Sequence, residues 1–197
     1  ARCLLRVEMA DVDAGEGTAA EEHARHVGHL AGVEVLNAFY YLDQCIGDFI
    51  TKLKQSAIWK NTLVVLLPDH GINYRDIDET HPLHNHIPLL WLGGAVKEPH
   101  TVEVLCNQTD LAATLLAQLG LDHSAFTFSR NVLSHDYPYP FAYHTFNNGF
   151  SLVDSTGFMV YDLNSMQPIV RQTNDVDRLE RLGKALLQAT SADLKNR

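Results

Sequence analysis

The residues with the clearest chemical potential stand together in Pro68-Asp69-His70-Gly71, directly after the apolar run Thr62–Leu67. A carboxylate and an imidazole are complementary ligands for a divalent cation such as Zn²⁺ or Mn²⁺. Neighbours on an extended strand point to opposite faces, so Asp69 and His70 share an ion only if the chain turns sharply, and Gly71 permits such a turn. A chance Asp-His pair on a strand-end turn is the plain alternative. A second cluster, Thr80-His81-Pro82-Leu83-His84-Asn85-His86, precedes the next apolar run, Ile87–Leu92. His81, His84 and His86 could bind a second metal or donate to substrate oxygens; the alternative is a polar loop with exposed imidazoles. His86 directly abuts the apolar run. A further set, His23, His26 and His29, recurs at spacing three, which on a helix drifts slowly around the cylinder. It could touch a metal or lie on a polar surface.

These groups need elements to position them. Leu36, Phe39, Leu42, Ile46, Phe49, Ile50 and Leu53 recur at three and four, which predicts an amphipathic helix over 35–54. Asp43 falls on or beside its apolar face, as a network carboxylate or a solvated edge residue. The continuous apolar runs Thr62–Leu67 and Ile87–Leu92 read as strands buried on both faces, the mark of a parallel sheet. In open α/β sheets the ligand site lies beyond the carboxyl ends of such strands, where Asp69 and His70 stand. A helix is predicted over 108–119, capped by Asn107 or Thr109 and stopped by Gly120. Short aromatic and β-branched runs at 141–146, 150–153 and 158–161, joined by Asn148-Gly149 and Asp154-Ser155-Thr156-Gly157, predict a three-stranded antiparallel meander. An amphipathic helix over about 175–190 follows. Residues 1–32 differ in character: Ala10–Glu22 is small and acidic and reads as weakly structured. The expected fold is α/β, a partial sandwich around a mainly parallel sheet, with a C-terminal antiparallel meander and a terminal helix. The expected division is 1–32 and 33–197.

Composition narrows the function classes. The 197 residues are 46% hydrophobic and 20% charged, ordinary for a folded protein. Fifteen basic against 24 acidic residues leave a net charge of −9 and no basic stripe, so nucleic acid is not an expected partner. Apolar runs reach about six residues, short of a bilayer span, and no signal-peptide pattern is seen. Cys3, Cys45 and Cys106 are odd in number and widely spaced, which fits neither a disulfide framework nor a metal knuckle. Eleven histidines are many for this length and ask for a metal or acid–base explanation.

Asp69-His70-Gly71 after a hydrophobic strand resembles the metal-binding signature of the sulfatase/alkaline-phosphatase superfamily. Tyr41-Leu42-Asp43, Ile46-Gly47, Phe49-Ile50 and Asn61-Thr62-Leu63-Val64-Val65 resemble the helix and strand leading to it. His86-Ile87-Pro88-Leu89-Leu90 resembles the strand after it, and Gln108–Leu116 with Leu119-Gly120-Leu121 the following helix. Phe128-Ser129 and Phe141–Gly149 look most like bacterial lipoteichoic-acid-synthase-like sulfatases. The resemblance covers about 33–197. It implies metal-dependent hydrolysis or transfer of a phosphate or sulfate ester, small-molecule or lipid/glycan. A threonine, serine or formylglycine nucleophile would attack while divalent metal, Mn or Zn, neutralises charge. It carries over Asp69 and His70 as metal ligands, and His86, or His84 or His81, as the substrate-side residue. It also implies an extracytoplasmic, cell-envelope location, with any membrane association through upstream segments.

The departures are specific. In that family the first metal acid and the nucleophile lie upstream of the helix beginning near Val35. No C-x-P-S-R, S-x-P-S-R or S-H-x-P-F motif is present, and Cys3-Leu4-Leu5-Arg6 does not match. The expectation is therefore the C-terminal part of such an enzyme, near background in activity, with exposed apolar faces and a tendency to associate. The alternatives are a non-catalytic interaction domain that keeps the fold, and a histidine-rich metal-binding protein.

Overall fold

The computed structural model describes residues 3–4, 33–71, 77 and 80–197. The acidic segment Ala10–Glu22 and the triplet His23, His26, His29 lie outside the described residues. In chain order the elements are β1 (Cys3–Leu4), α1 (Val33–Lys54), β2 (Val64–Leu66), β3 (Leu90–Leu92), β4 (Leu105–Cys106), α2 (Leu111–Gln118), β5 (Ala142–Phe146), β6 (Gly149–Asp154), β7 (Gly157–Asp162), β8 (Gln167–Thr173) and α3 (Val176–Asn196). Three 3-10 turns, Trp59–Asn61, Pro82–Asn85 and Gln108–Asp110, sit between them. The fold is α/β with antiparallel sheets and a C-terminal helix. It divides into two compact units.

The smaller unit holds α1, β2 and β3. Here the expected parallel sheet gives way to an antiparallel ladder: Val64, Val65 and Leu66 pair with Leu92, Trp91 and Leu90. A continuous apolar run reports burial on both faces and carries no information on strand direction, which explains the difference. Gly93, at φ 121°, turns the chain where a Cβ would lie 2.1 Å from the Thr62 carbonyl oxygen. In α1, Ile50 is buried, while Phe39, Leu42 and Phe49 stay about half exposed. Asp43 is exposed.

The larger unit comprises 67–89 and 102–197, with β1 paired antiparallel to β4. Its centre is the antiparallel meander, in order β5-β6-β7-β8. Asn148, at φ 62°, makes the first hairpin turn, and Gly157, at φ 131°, closes the second. The fourth strand, β8, is an edge strand that the sequence reading left out. Its Pro168 argues against a central strand, and its side chains are largely exposed, so no apolar period marks it. Phe150, Leu152, Met159, Tyr161 and Leu179 form the sealed core, with the Phe150 and Tyr161 rings stacked at 5.1 Å. α3 lies close on this sheet. At Gly183 a Cβ would fall 2.1 Å from the Phe150 ring, so glycine is what admits the helix there. Asp175 caps α3 by accepting from the Arg178 amide at 3.2 Å.

Candidate active site

In the larger unit the chain turns at Asp69, His70 and Gly71. The Gln108 side-chain amide donates to the Pro68 carbonyl at 3.0 Å and pins the approach to that turn. Gly71 is needed here for space, since its φ is outside the left-handed region. A Cβ on it would stand 1.6 Å from the His84 carbonyl oxygen. The turn thus rests directly on the 3-10 turn Pro82–Asn85.

His70 Nδ1 donates to the Gly71 carbonyl at 2.6 Å, which leaves the Nε2 lone pair facing outward in the neutral ring. Nε2 lies 3.6 Å from Asp69 Oδ1. Two donors each about 2.0–2.2 Å from one ion sit at roughly this mutual distance. Both side chains are open to solvent, 79% exposed for His70 and 90% for Asp69. As ligand chemistry the pair fits a divalent cation. No group of three or more His, Cys, Asp or Glu able to hold a metal occurs among the described residues.

Asp69 and His70 line a cavity of about 380 Å³. Its apolar wall is Phe128, Phe141, Tyr143 and Leu186. Its uncharged polar groups include Asn107, Gln108, Thr109, Thr127 and His144. Burial pushes the Tyr143 phenol up to about 12 and the His144 imidazole down to about 4, with His84 adding to the latter shift. Both groups are therefore neutral at pH 7. For His144 the sign is clear: the unfolded ring binds a proton below about 6.5 and the folded ring does not until about 4. Stability should be fully present above pH 6.5 and fall as pH drops toward 4. Denaturant titrations across this range should show the slope flattened in His144→Asn; an unchanged slope would refute the assignment.

The other histidines sit elsewhere. His81 accepts from the Leu83 amide at 3.1 Å, capping the 3-10 turn, and meets the Phe158 ring edge-on at 5.3 Å. His84 is half-buried, with Nδ1 sealed from solvent. His86 is exposed. Neither His84 nor His86 is among the residues lining the cavity.

Behind the cavity lies an ion pair that sequence reasoning missed. Asp110 is 1% exposed and accepts from Arg130 three times: from the amide at 2.9 Å, from Nε at 3.1 Å and from Nη2 at 2.6 Å. It also accepts from the Asn107 amide at 2.8 Å. Asn107, the expected cap, stands at the N-cap of the Gln108–Asp110 turn in a capping box with Asp110, and its Oδ1 also accepts from the Tyr143 amide at 2.7 Å, tying the start of the helical segment to β5. Two further Arg130 donors reach the Tyr139 carbonyl at 3.1 Å and the Phe141 carbonyl at 3.3 Å, and the guanidinium stacks on the Phe141 ring at 4.0 Å. The one available signal is a carboxylate three residues after Asn107, a helix-start spacing.

The comparisons with known proteins bear on this geometry. The sulfatase family model matches residues 33–121, which contain Asp69, His70, Gln108 and Asp110. Over those residues the chain is similar to the sulfatase family. Phosphoglycerol transferase I of Xanthomonas campestris pv. campestris (strain B100) is 27% identical over 126 residues, 64% of this chain and 18% of the relative. Arylsulfatase K of Canis lupus familiaris is 29% identical over 94 residues, 43% of this chain and 18% of the relative. A crystal structure of a protein in the alkaline phosphatase superfamily from Vibrio parahaemolyticus superposes with a TM-score of 0.64 at 23% identity. It covers 82% of this chain and 42% of that one, and establishes the likeness of fold. The chain therefore resembles part of a sulfatase/alkaline-phosphatase superfamily protein, and its matches span about a fifth of its curated relatives. Arg130, Tyr143 and His144 lie beyond the sulfatase-matched segment. No helix among the described residues is long and apolar enough to cross a membrane.

Proposed function

We propose that this chain is the C-terminal part, residues 33–197, of an enzyme for metal-dependent hydrolysis or transfer of a phosphate or sulfate ester, working in the cell envelope outside the cytoplasm. Residues 1–32 are read as a segment of different character. The observation that carries the reading is the Asp69–His70 pair, turned together within the sulfatase-like segment beside a cavity of ligand size. In this reading the two residues supply two ligands to a divalent cation, Mn²⁺ or Zn²⁺. When bound, the cation would neutralise charge on the ester's oxygens. His70 is held in the metal-binding tautomer by the Gly71 carbonyl. His86 and His84 are the candidates for contact with the transferred group. The remaining ligands and the nucleophile are proposed to come from outside the described residues.

Calorimetry with Mn²⁺ and Zn²⁺ should show weak binding that Asp69→Ala and His70→Ala each abolish, and turnover of chromogenic phosphate or sulfate esters by these 197 residues should stay near background. Unchanged binding in both variants would sink the site assignment. Robust turnover would show that the chain holds its own nucleophile. One observation favours a second reading, a non-catalytic interaction domain: only two donors meet at the turn among the described residues. Complete absence of metal binding in the wild-type chain would favour that reading.

A further inference from the structure

The ester's charged group and its alcohol group ask for different surroundings, and the cavity suits only one of them. An anion held in a pocket needs a cation or convergent donors with capacity to spare. Arg130 is the one arginine or lysine among the described lining residues, and four of its five side-chain N–H donors are committed to Asp110, Tyr139 and Phe141. Without a bound cation, the Asp69 carboxylate on the same lining would repel a bare anion. His144 and Tyr143 are lining residues and neutral at pH 7. What remains is an aromatic and aliphatic wall with hydroxyl and imidazole groups set among it, in a volume of about 380 Å³, far more than a phosphate or sulfate needs. Such a lining matches an uncharged polyhydroxy alcohol. The C–H face of the alcohol lies on the aromatic wall and its hydroxyls meet the polar groups.

We propose that this cavity binds the uncharged polyol part of the ester and that His144 is a hydrogen-bonding, specificity-determining residue for it. This rests on the ester reading above and adds to it which part of the substrate the larger unit recognises. The charged group then sits at the edge of the cavity formed by Asp69 and His70.

Saturation-transfer NMR on the full chain tests this with a neutral methyl glycoside and glycerol as probes and with inorganic phosphate, followed by its ³¹P signal, as the anion. The wild-type chain should bind the neutral probes, and phosphate should not displace them. His144→Ala should weaken them about three- to tenfold, the loss of one neutral hydrogen bond, and His144→Gln should restore part of it. Phe128→Ala, which removes wall area at the cavity and leaves His144 in place, should weaken the neutral probes as well. Displacement by phosphate, or equal binding in wild type, His144→Ala and Phe128→Ala, would overturn the proposal. Metal titrations on the same variants separate it from the ester reading. Polyol binding that survives Asp69→Ala supports the cavity assignment whatever the metal result, and polyol binding lost while metal binding persists counts against this proposal alone.

Discussion

Arg130→Met should be the most damaging single substitution in the described residues. It removes the guanidinium from an Asp110 carboxylate that is 1% exposed and leaves a buried charge with the Asn107 and residue-130 amides and the Tyr137 hydroxyl beside it. Removing one partner of a buried pair costs about 3–5 kcal/mol, far more than the pair itself contributes over an apolar replacement. For a chain of this size that corresponds to a fall in melting temperature of roughly 6–20 °C. The loss extends to the cavity wall, because the same guanidinium holds the Tyr139 and Phe141 carbonyls and stacks on the Phe141 ring. Arg130→Lys should recover little, since an ammonium cannot make the forked contact to both carboxylate oxygens. Thermal unfolding of the two variants checks this. A drop under about 1 kcal/mol in Arg130→Met would show that Asp110 is not held as described.

Gly71→Ala is the second large effect, and it strikes the site more than the core. The new Cβ would lie 1.6 Å from the His84 carbonyl oxygen, a contact between backbone atoms that no rotamer change relieves. Overpacking of this kind costs about 1–3 kcal/mol. The open side of the contact is the exposed turn, so the turn should move. Asp69 and His70 would lose their mutual geometry, and the His70 hydrogen bond to residue 71 would be disrupted. Metal binding by Asp69 and His70 should fall at least tenfold, with a melting temperature lower by a few degrees. Gly47→Ala is the control. It lies in α1 with nothing within 4 Å of the added Cβ, and helix propensity predicts a gain of about 0.5–1 kcal/mol. Equal metal binding in Gly71→Ala and wild type would show that the turn does not set the pair.

The tripeptide alone is a weak signal, so the Asp69-His70-Gly71 turn is legible in sequence through the glycine that follows the acid and the imidazole and through the ordered motifs around it. The reason for its glycine is not, since it depends on a carbonyl at His84 that only folding brings near. The helices at 33–54 and 176–196 and the hairpins at Asn148 and Gly157 follow from periodicity and turn chemistry, both local properties. Strand direction in the β2–β3 pair is a property of two segments at once and leaves no mark on either. The cavity is the least legible part. Phe128, Tyr143, His144 and Leu186 come from three separate stretches of chain, and single aromatic or histidine residues in them look like ordinary core or surface. Asp110 and Arg130 are hidden for the same reason: the sequence shows a carboxylate near a helix start and an arginine in a loop, twenty residues apart.

Tyr139 carries a consequence beyond its own contacts. Its carbonyl accepts from Arg130, and its hydroxyl stands between Asp154 and Arg178, where Arg178 also binds Asp154 at 2.6 Å and Asp175 at 2.7 Å. One residue is thus gripped by two separate acid–arginine pairs, one at the start of α2 and one at the start of α3. Opening either pair removes one of the two holds on Tyr139 and so weakens the other, which couples the two helix starts. The amides at the two ends, though far apart in the chain, should become accessible to solvent deuterium together, as one cooperative block.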